Sequence, residues 1–166
     1  MAAKKKKQGA PLGGPGHKLI SKNRKAARNY ELGERFEAGL VLVGTEVKSC
    51  RAGKAHVNDA WVLIKGGEAF LVGSHIAAYS HGGPHLNHEP ERTRKLLLHG
   101  REIDKLTRHI QERGFVAVPT SMYFKHGYVK VEIALAKGRT HSDKRDRVKE
   151  RDTQREIQRA LRRGRR

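Results

Sequence analysis

The stretch Phe36–Asp59, F-E-A-G-L-V-L-V-G-T-E-V-K-S-C-R-A-G-K-A-H-V-N-D, decides how the chain is read. It opens as a strand, because Phe36, Ala38, Leu40 and Leu42 recur at period two with β-branched Val41 and Val43 between them. Gly44 breaks that strand. Thr45–Arg51 is polar enough to form a short surface helix, with Thr45 placed to cap it and Gly53 placed to stop it. Lys48, Arg51 and Lys54 then share one edge, since residues three apart are neighbours on a helix. A strand that turns into a short cationic helix and re-enters a sheet is a surface suited to a phosphate backbone.

Working toward the C-terminus, Ala60–Ile64 reads as a strand, Lys65-Gly66-Gly67-Glu68 as a hairpin turn, and Ala69–Val72 as the returning strand. Trp61 and Phe70 lie within apolar strands, so core packing is preferred over base stacking for both. Gly73–His88 is irregular. Its His81, His85 and His88 match no zinc spacing and have no cysteine nearby, so no metal site is expected. Pro90, flanked by Glu89 and Glu91, suits the start of a helix that carries Arg92–Leu98 and ends at His99-Gly100. A further helix is expected from about residue 101 to 113, with Ile103, Leu106 and Ile110 on one face and Gly114 beyond its end. Phe115–Phe124 is a strand whose Pro119 demands an edge or a bulge. Lys125-His126-Gly127 turns the chain into Tyr128–Ala136, where Val129, Val131, Ile133 and Leu135 alternate with polar or small residues.

Toward the N-terminus, Lys18–Tyr30 holds five bases and a turn candidate at Asn23, and reads as an arm lying across the body. Residues 1–17 combine a lysine run with Gly and Pro, a composition too poor in apolar surface to fold when free. Residues 138–166 are equally thin in apolar content. Arg151 with Arg155, and Asp152 with Glu156, put like charges four apart, which opposes a free helix. That tail is expected to be disordered in isolation and helical once an RNA groove neutralises its arginines.

The charge is divided in the same way. Residues 1–30 hold nine Lys and Arg and no acid, residues 31–136 hold fourteen against twelve, and residues 137–166 hold thirteen against five, within a total of +19. A nearly neutral body between two cationic ends favours a polyanionic partner, nucleic acid above all. A single cysteine, Cys50, excludes an internal disulfide framework and is read as a partly buried structural residue. No apolar run is long enough for a membrane span and the basic N-terminus has no apolar signal region, so a cytoplasmic protein is expected.

Catalytic signatures are missing. Lys48-Ser49 resembles the end of a P-loop, but Leu42 and Val47 stand where that loop needs glycines, and Ala55 stands where Arg51-Ala52-Gly53-Lys54 would need a hydroxyl for magnesium. No Ser-His-Asp order with a glycine elbow and no dinucleotide fingerprint is present. The expectation is a binding protein, not an enzyme, without cofactor. The strand and turn pattern suggests an OB-like antiparallel β-barrel of about six strands with three short helices, spanning residues 18–137 between the two tails. Aromatic content of 5% argues against serial base stacking and for shape and phosphate contacts with a folded RNA. A general OB-fold RNA chaperone or ribosome-assembly protein has the same signature.

Several motifs in fixed order narrow this further. Asn23-Arg24-Lys25-Ala26, Tyr30, Phe36-Glu37-Ala38-Gly39-Leu40, Gly44-Thr45-Glu46-Val47-Lys48-Ser49 and Arg51-Ala52-Gly53-Lys54 come first. Asn87-His88-Glu89-Pro90, Arg92-Thr93-Arg94-Lys95-Leu96-Leu97-Leu98-His99, Ala134-Leu135-Ala136-Lys137-Gly138 and Asp143-Lys144-Arg145 follow. From about Lys18 to Leu161 the chain resembles the small protein B family, the SsrA-binding proteins of bacterial trans-translation. The resemblance implies a monomeric OB-like protein that binds the tRNA-like domain of transfer-messenger RNA and escorts the alanyl-charged RNA into the A site of a stalled ribosome. The body would stand in for the missing anticodon arm. The tail would probe the empty mRNA path beyond the decoding centre, becoming helical there.

Carried over by position, the resemblance ties Asn23, Tyr30, Glu37, Leu97 and His99 to RNA binding, with Lys48, Ser49 and Arg51 beside them. Arg24, Lys25, Arg28, Lys54 and Lys137 complete the cationic set. Glu37 would accept from RNA hydroxyls or base amines, or orient a cation such as Arg35. Leu97 is either an apolar RNA contact or helix core. Gly138, His141, Asp143, Lys144, Arg145, Lys149, Arg151, Ala160 and Leu161 match the ribosome-facing tail. Two positions depart from the family pattern: Ser142 stands where many members have a stacking residue, with His141 one place earlier, and Thr153 stands where some have tryptophan.

Overall fold

The structure, a computed structural model, describes residues 17–83, 85–112, 114–139 and 153. Among them the chain forms β1 (His17–Lys22), α1 (Arg24–Asn29), β2 (Tyr30–Leu40), α2 (Gly44–Arg51), β3 (Ala55–His56), β4 (Trp61–Lys65) and β5 (Glu68–Val72). β6 (His75–Ile76), β7 (Arg94–Leu97), α3 (Gly100–Gln111), β8 (Phe115–Lys125) and β9 (Tyr128–Gly138) follow. Seven strands make one antiparallel sheet in the order β1-β8-β9-β2-β7-β5-β4, and β3 pairs with β6 beside it.

The alternation seen in the sequence builds the centre of this sheet. β8 and β9 form a hairpin through Lys125-His126-Gly127, where His126 and Gly127 take φ of 50° and 83°. Val129, Val131, Ile133 and Leu135 face inward, joined by Phe36, Ala38 and Leu40 of β2, Leu71 of β5 and Leu96 of β7. Leu106 of α3 closes this core, with Ile110 packed against it. The β4–β5 hairpin turns at Gly66 and Gly67, both at positive φ, as the paired glycines predict. The register slips between Pro119 and Ser121, so Pro119 sits at a bulge and not on an edge, since β8 lies between β1 and β9.

The mainly β, antiparallel architecture with three short helices is as expected. Its strands number nine among the described residues against about six expected, and the hydrogen-bonded order runs open from β1 to β4, a barrel-like wrap whose ladder is not closed. Lys18–Tyr30 is not an arm. Its first part is β1, paired with β8; Asn23 caps α1, and Tyr30 opens β2. The helix expected over residues 90–98 is absent; β7 runs there between β2 and β5, with Arg94 and Leu96 buried and Lys95 and Leu97 exposed, a period of two and not 3.6. Trp61 is 46% exposed, because β4 is the last strand of the sheet and turns only Val62 firmly into the core. Phe70 is partly buried.

α2 begins at Gly44, with Val43 and not Thr45 at the cap position. Gly53, at φ 71°, ends the turn after it as expected. α3 starts at Gly100, with His99 as its cap residue and the Glu102 carboxylate accepting from the His99 N–H at 2.9 Å. Cys50 is fully buried. Among the described residues no helix is long and apolar enough to cross a membrane. The tail positions after Arg139 named above, and residues 1–16, lie outside the described residues, apart from exposed Thr153.

Candidate nucleic-acid interface

The candidate residues fall on three parts of the surface. The first surrounds α1. Asn23 caps that helix, its Oδ1 accepting from the Ala26 N–H at 2.9 Å. Its Nδ2 donates to the carbonyls of Val57 and Pro119, each at 2.9 Å, and its own N–H donates to Thr120 O at 2.8 Å. With 5% exposure Asn23 has no free face. It ties α1 to the β8 bulge and to the segment after β3. Arg24, Lys25 and Arg28 of α1 are exposed, and Lys25 pairs with Asp59 at 2.6 Å. Tyr30 packs on Ala26, Val118 and Ala136 at the start of β2. Opposite it lies Gly138, with Lys137 beside it over the Phe115 ring, 6.0 Å from the centroid.

The second part lies about 20 Å along β2, since Tyr30 and Glu37 are seven strand residues apart. One rung of the sheet runs Leu97–Gly39–Lys130–Tyr123–Leu19 across β7, β2, β9, β8 and β1. Residues on one rung share a face, and Glu37, two before Gly39, shares it as well. This is the outer face: Leu97 is 55% exposed. The alternative of Leu97 as helix core is thereby removed. It packs closely over Gly39, where a Cβ would come within 3.3 Å of Leu97 Cβ. His99 is exposed two residues on.

Glu37 does not orient Arg35, which pairs instead with Glu132 at 3.2 Å. Its carboxylate accepts from Tyr123 Oη at 2.6 Å and from Lys125 Nζ at 2.8 and 2.9 Å. Burial pushes the Glu37 carboxyl up, but the hydrogen bonds from Lys125 and Tyr123 and the charges of Lys125 and Lys130 outweigh it, leaving the group below the usual carboxylate range. Tyr123 moves the opposite way: burial and the Glu37 carboxylate both raise its phenol. The His17 ring stacks on Tyr123 with centroids 5.5 Å apart. Glu37 is thus a pre-ionised acceptor flanked by cations.

The third part is the edge of α2. Lys48 is exposed, with its ammonium 5.2 Å from the Tyr79 ring centroid, and Arg51 and Lys54 follow on the surface. Ser49 is fully buried and faces inward, so it is not part of that edge.

What holds α2 in place escaped the sequence reading. Glu46, fully buried, accepts from Arg92 Nε at 2.8 Å and Nη2 at 2.6 Å, from Arg94 Nε at 2.8 Å, and from the Val43 N–H at 2.8 Å. Arg94, also fully buried, donates further to Ser74 O at 2.8 Å, Ser74 Oγ at 3.0 Å, Arg92 O at 3.0 Å and Pro90 O at 2.9 Å. Burial raises the Glu46 carboxyl, yet the two guanidinium groups and the backbone donor bring it below the usual range. Every charge in the triad is met, which is the condition for burying one. His88 adds a further tie, with Nε2 against Ile76 O at 2.9 Å, which makes that nitrogen the donor, and Nδ1 against Thr45 Oγ1 at 2.9 Å. The one available signal was the Glu46 and Arg92-x-Arg94 pairing of opposite charges; nothing in their local spacing announced burial.

Residues 20–163 match the family model described as SmpB protein. The SsrA-binding protein of Pelobacter propionicus is 54% identical over 146 residues, 88% of this chain and 95% of its own length. That of Pseudomonas aeruginosa (strain LESB58) is 54% identical over 145 residues, 87% of this chain and 91% of its own. That of Nostoc punctiforme is 50% identical over 146 residues, 88% and 94% of the two chains. A solved structure described as "tmRNA-SmpB: a journey to the center of the bacterial ribosome" superposes with a TM-score of 0.62 at 41% identity, over 72% of this chain and 84% of that one. With the match running from β1 past the end of β9, this chain belongs to the SmpB protein family.

Proposed function

We propose that the protein binds the tRNA-like domain of transfer-messenger RNA and delivers it to the A site of stalled ribosomes, for ribosome rescue and tagging of incomplete proteins. The observation that carries this is the match to SsrA-binding proteins over nearly the whole chain, at identities of about one half. The geometry supports it physically. A rigid sheet presents an outer face, with Glu37, Leu97, His99 and nearby Lys125 and Lys130, while α1 and the α2 edge present Arg24, Lys25, Arg28, Lys48, Arg51 and Lys54. Such spacing suits a folded RNA read by shape and phosphate position, with few bases involved. Glu37 supplies the acceptor that a 2′-hydroxyl or base amine needs, already ionised and oriented by Tyr123 and Lys125. Asn23, buried and hydrogen-bonded on every side-chain polar atom, acts by positioning the α1 cations, while buried Ser49 packs beneath the α2 edge.

In this reading the protein works in the cytoplasm as a monomer and performs no covalent chemistry. Residues 138–166 serve the ribosome, with Asp143, Lys144, Arg145 and Lys149 in the mRNA path. A chain ending at Arg139 tests the division of labour. It retains affinity for the tRNA-like domain within about threefold and loses tagging on ribosomes stalled without a stop codon. Loss of RNA affinity on truncation would overturn the assignment of RNA binding to the body.

A further inference from the structure

The open side of the sheet contains a cleft. β4 packs beside the first half of β8 with no strand ladder joining them among the described residues, and α1 lies over the gap. The cleft has a volume of about 410 Å³ and is lined by Tyr30 and Asn29 at the end of α1, Asn58 and Trp61 before and on β4, and Val116 on β8. Trp61 is 46% and Val116 39% exposed, so the cleft leaves an indole and an aliphatic surface in water. Its rim is polar in two ways. Asn29 and Asn58 bring side-chain amides, each with donor and acceptor atoms. Lys25, ion-paired to Asp59 at the edge, continues into the exposed Arg24 and Arg28 of α1.

We infer that this cleft receives an unpaired RNA base, stacked on Trp61 beside Tyr30, its edge met by the Asn29 and Asn58 amides and its phosphate by the α1 cations. The inference rests on the RNA-binding function proposed above and adds a nucleobase subsite to it. The combination of aromatic face, amides and cations is that of a nucleotide site. The protein's own C-terminal tail leaves close by, since the Arg139 N–H bonds Asn29 O at 3.1 Å. From residue 137 on, however, that tail holds thirteen bases against five acids, and it would set like charge against α1.

Trp61 is the only tryptophan, so its emission reports on the cleft alone. The full chain is titrated, with excitation at 295 nm, with the tRNA-like domain RNA and separately with an RNA fragment carrying the ribosomal decoding centre. Binding is followed in parallel by gel shift. Stacking predicts quenching that saturates with binding, and the RNA that quenches identifies the source of the base. Trp61→Ala should weaken binding of that RNA by about 5- to 150-fold, the range for loss of one base–aromatic stack, while Trp61→Phe stays within about threefold of the parent. Far-UV circular dichroism and thermal melts establish that both variants fold. If the RNAs bind and emission stays unchanged, the cleft is not a base site, though the proposed function stands. If removing residues 140–166 shifts emission without RNA, the tail occupies the cleft and the inference falls. If the tRNA-like domain does not bind at all, the function itself is overturned.

Discussion

Replacing Asn23 by alanine separates a positioning role from an RNA contact. The substitution removes the α1 cap, a change that costs about 1 kcal/mol in other helices. It also removes both donors to the Val57 and Pro119 carbonyls, which are held at 2.9 Å by a side chain only 5% exposed. A buried acceptor left without a donor costs about 1–3 kcal/mol, and Val57 O, which keeps a long bond from the Ala60 N–H at 3.4 Å, loses less than that. The expected loss is therefore about 3 kcal/mol, or on the order of 10 °C in Tm for a domain of this size. Urea unfolding followed by far-UV circular dichroism gives the stability, and RNA binding at a temperature where parent and variant are both folded gives the affinity. Asn23→Asp sharpens the test. It keeps the acceptor for the Ala26 N–H but turns a carboxylate oxygen toward two carbonyls, so it should destabilise more than Asn23→Ala. A stability change below about 0.5 kcal/mol, together with a tenfold or greater loss of RNA affinity, would refute the positioning role.

Other consequences concern buried groups. Glu46→Gln leaves the fully buried Arg94 without its counter-charge and should cost about 3–5 kcal/mol in denaturant unfolding. Because the Glu46 carboxyl lies below its unfolded value in the folded state, the stability it contributes is complete above the ordinary carboxylate range and is lost as pH falls through the depressed folded value. The variant should accordingly show a shallower acid limb in a stability–pH profile, and an unchanged limb would contradict the triad. Glu37→Gln removes the carboxylate that raises the Tyr123 phenol, so tyrosinate absorbance should appear at lower pH than in the parent. Its stability should fall by less than about 1 kcal/mol, since the Glu37–Lys125 pair is partly exposed. The Cys50 thiol, pushed up to about 11 by burial and the Glu46 charge against the opposing Arg94, should stay unreactive toward a disulfide reagent at pH 8 until the protein unfolds. Rapid labelling of native protein would contradict its burial.

The sequence was most legible where one physical signal dominated. The β8–β9 and β4–β5 hairpins combine period-two alternation with turn residues at positive φ, and both formed where expected. It misled where tertiary partners override local signals. Pro90 with flanking acids looks like a helix start, but Arg94 is drawn inward by Glu46, forty-eight residues away, and the segment becomes β7. Trp61 sits in an apolar run that reads as buried on both sides, yet the run forms the outermost strand, a fact of topology that no single segment carries. Of the candidate site, the spacing of Lys48, Arg51 and Lys54 put them on one surface edge, and all three are exposed, while Glu37 and Leu97 were singled out only through the family pattern. The inward turn of Asn23 and Ser49, and the Tyr123–Glu37–Lys125 cluster, required cross-strand register to be seen.

The most direct test of the function is the affinity of the full chain for the tRNA-like domain of transfer-messenger RNA, against an elongator tRNA of matched length, across a series of salt concentrations. Phosphate contacts weaken for both RNAs as salt rises, so a preference that persists at high salt reports recognition of shape. The account predicts that the tRNA-like domain remains preferred throughout. Equal binding of the two RNAs, lost together as salt increases, would contradict it and leave a general RNA-binding protein in its place.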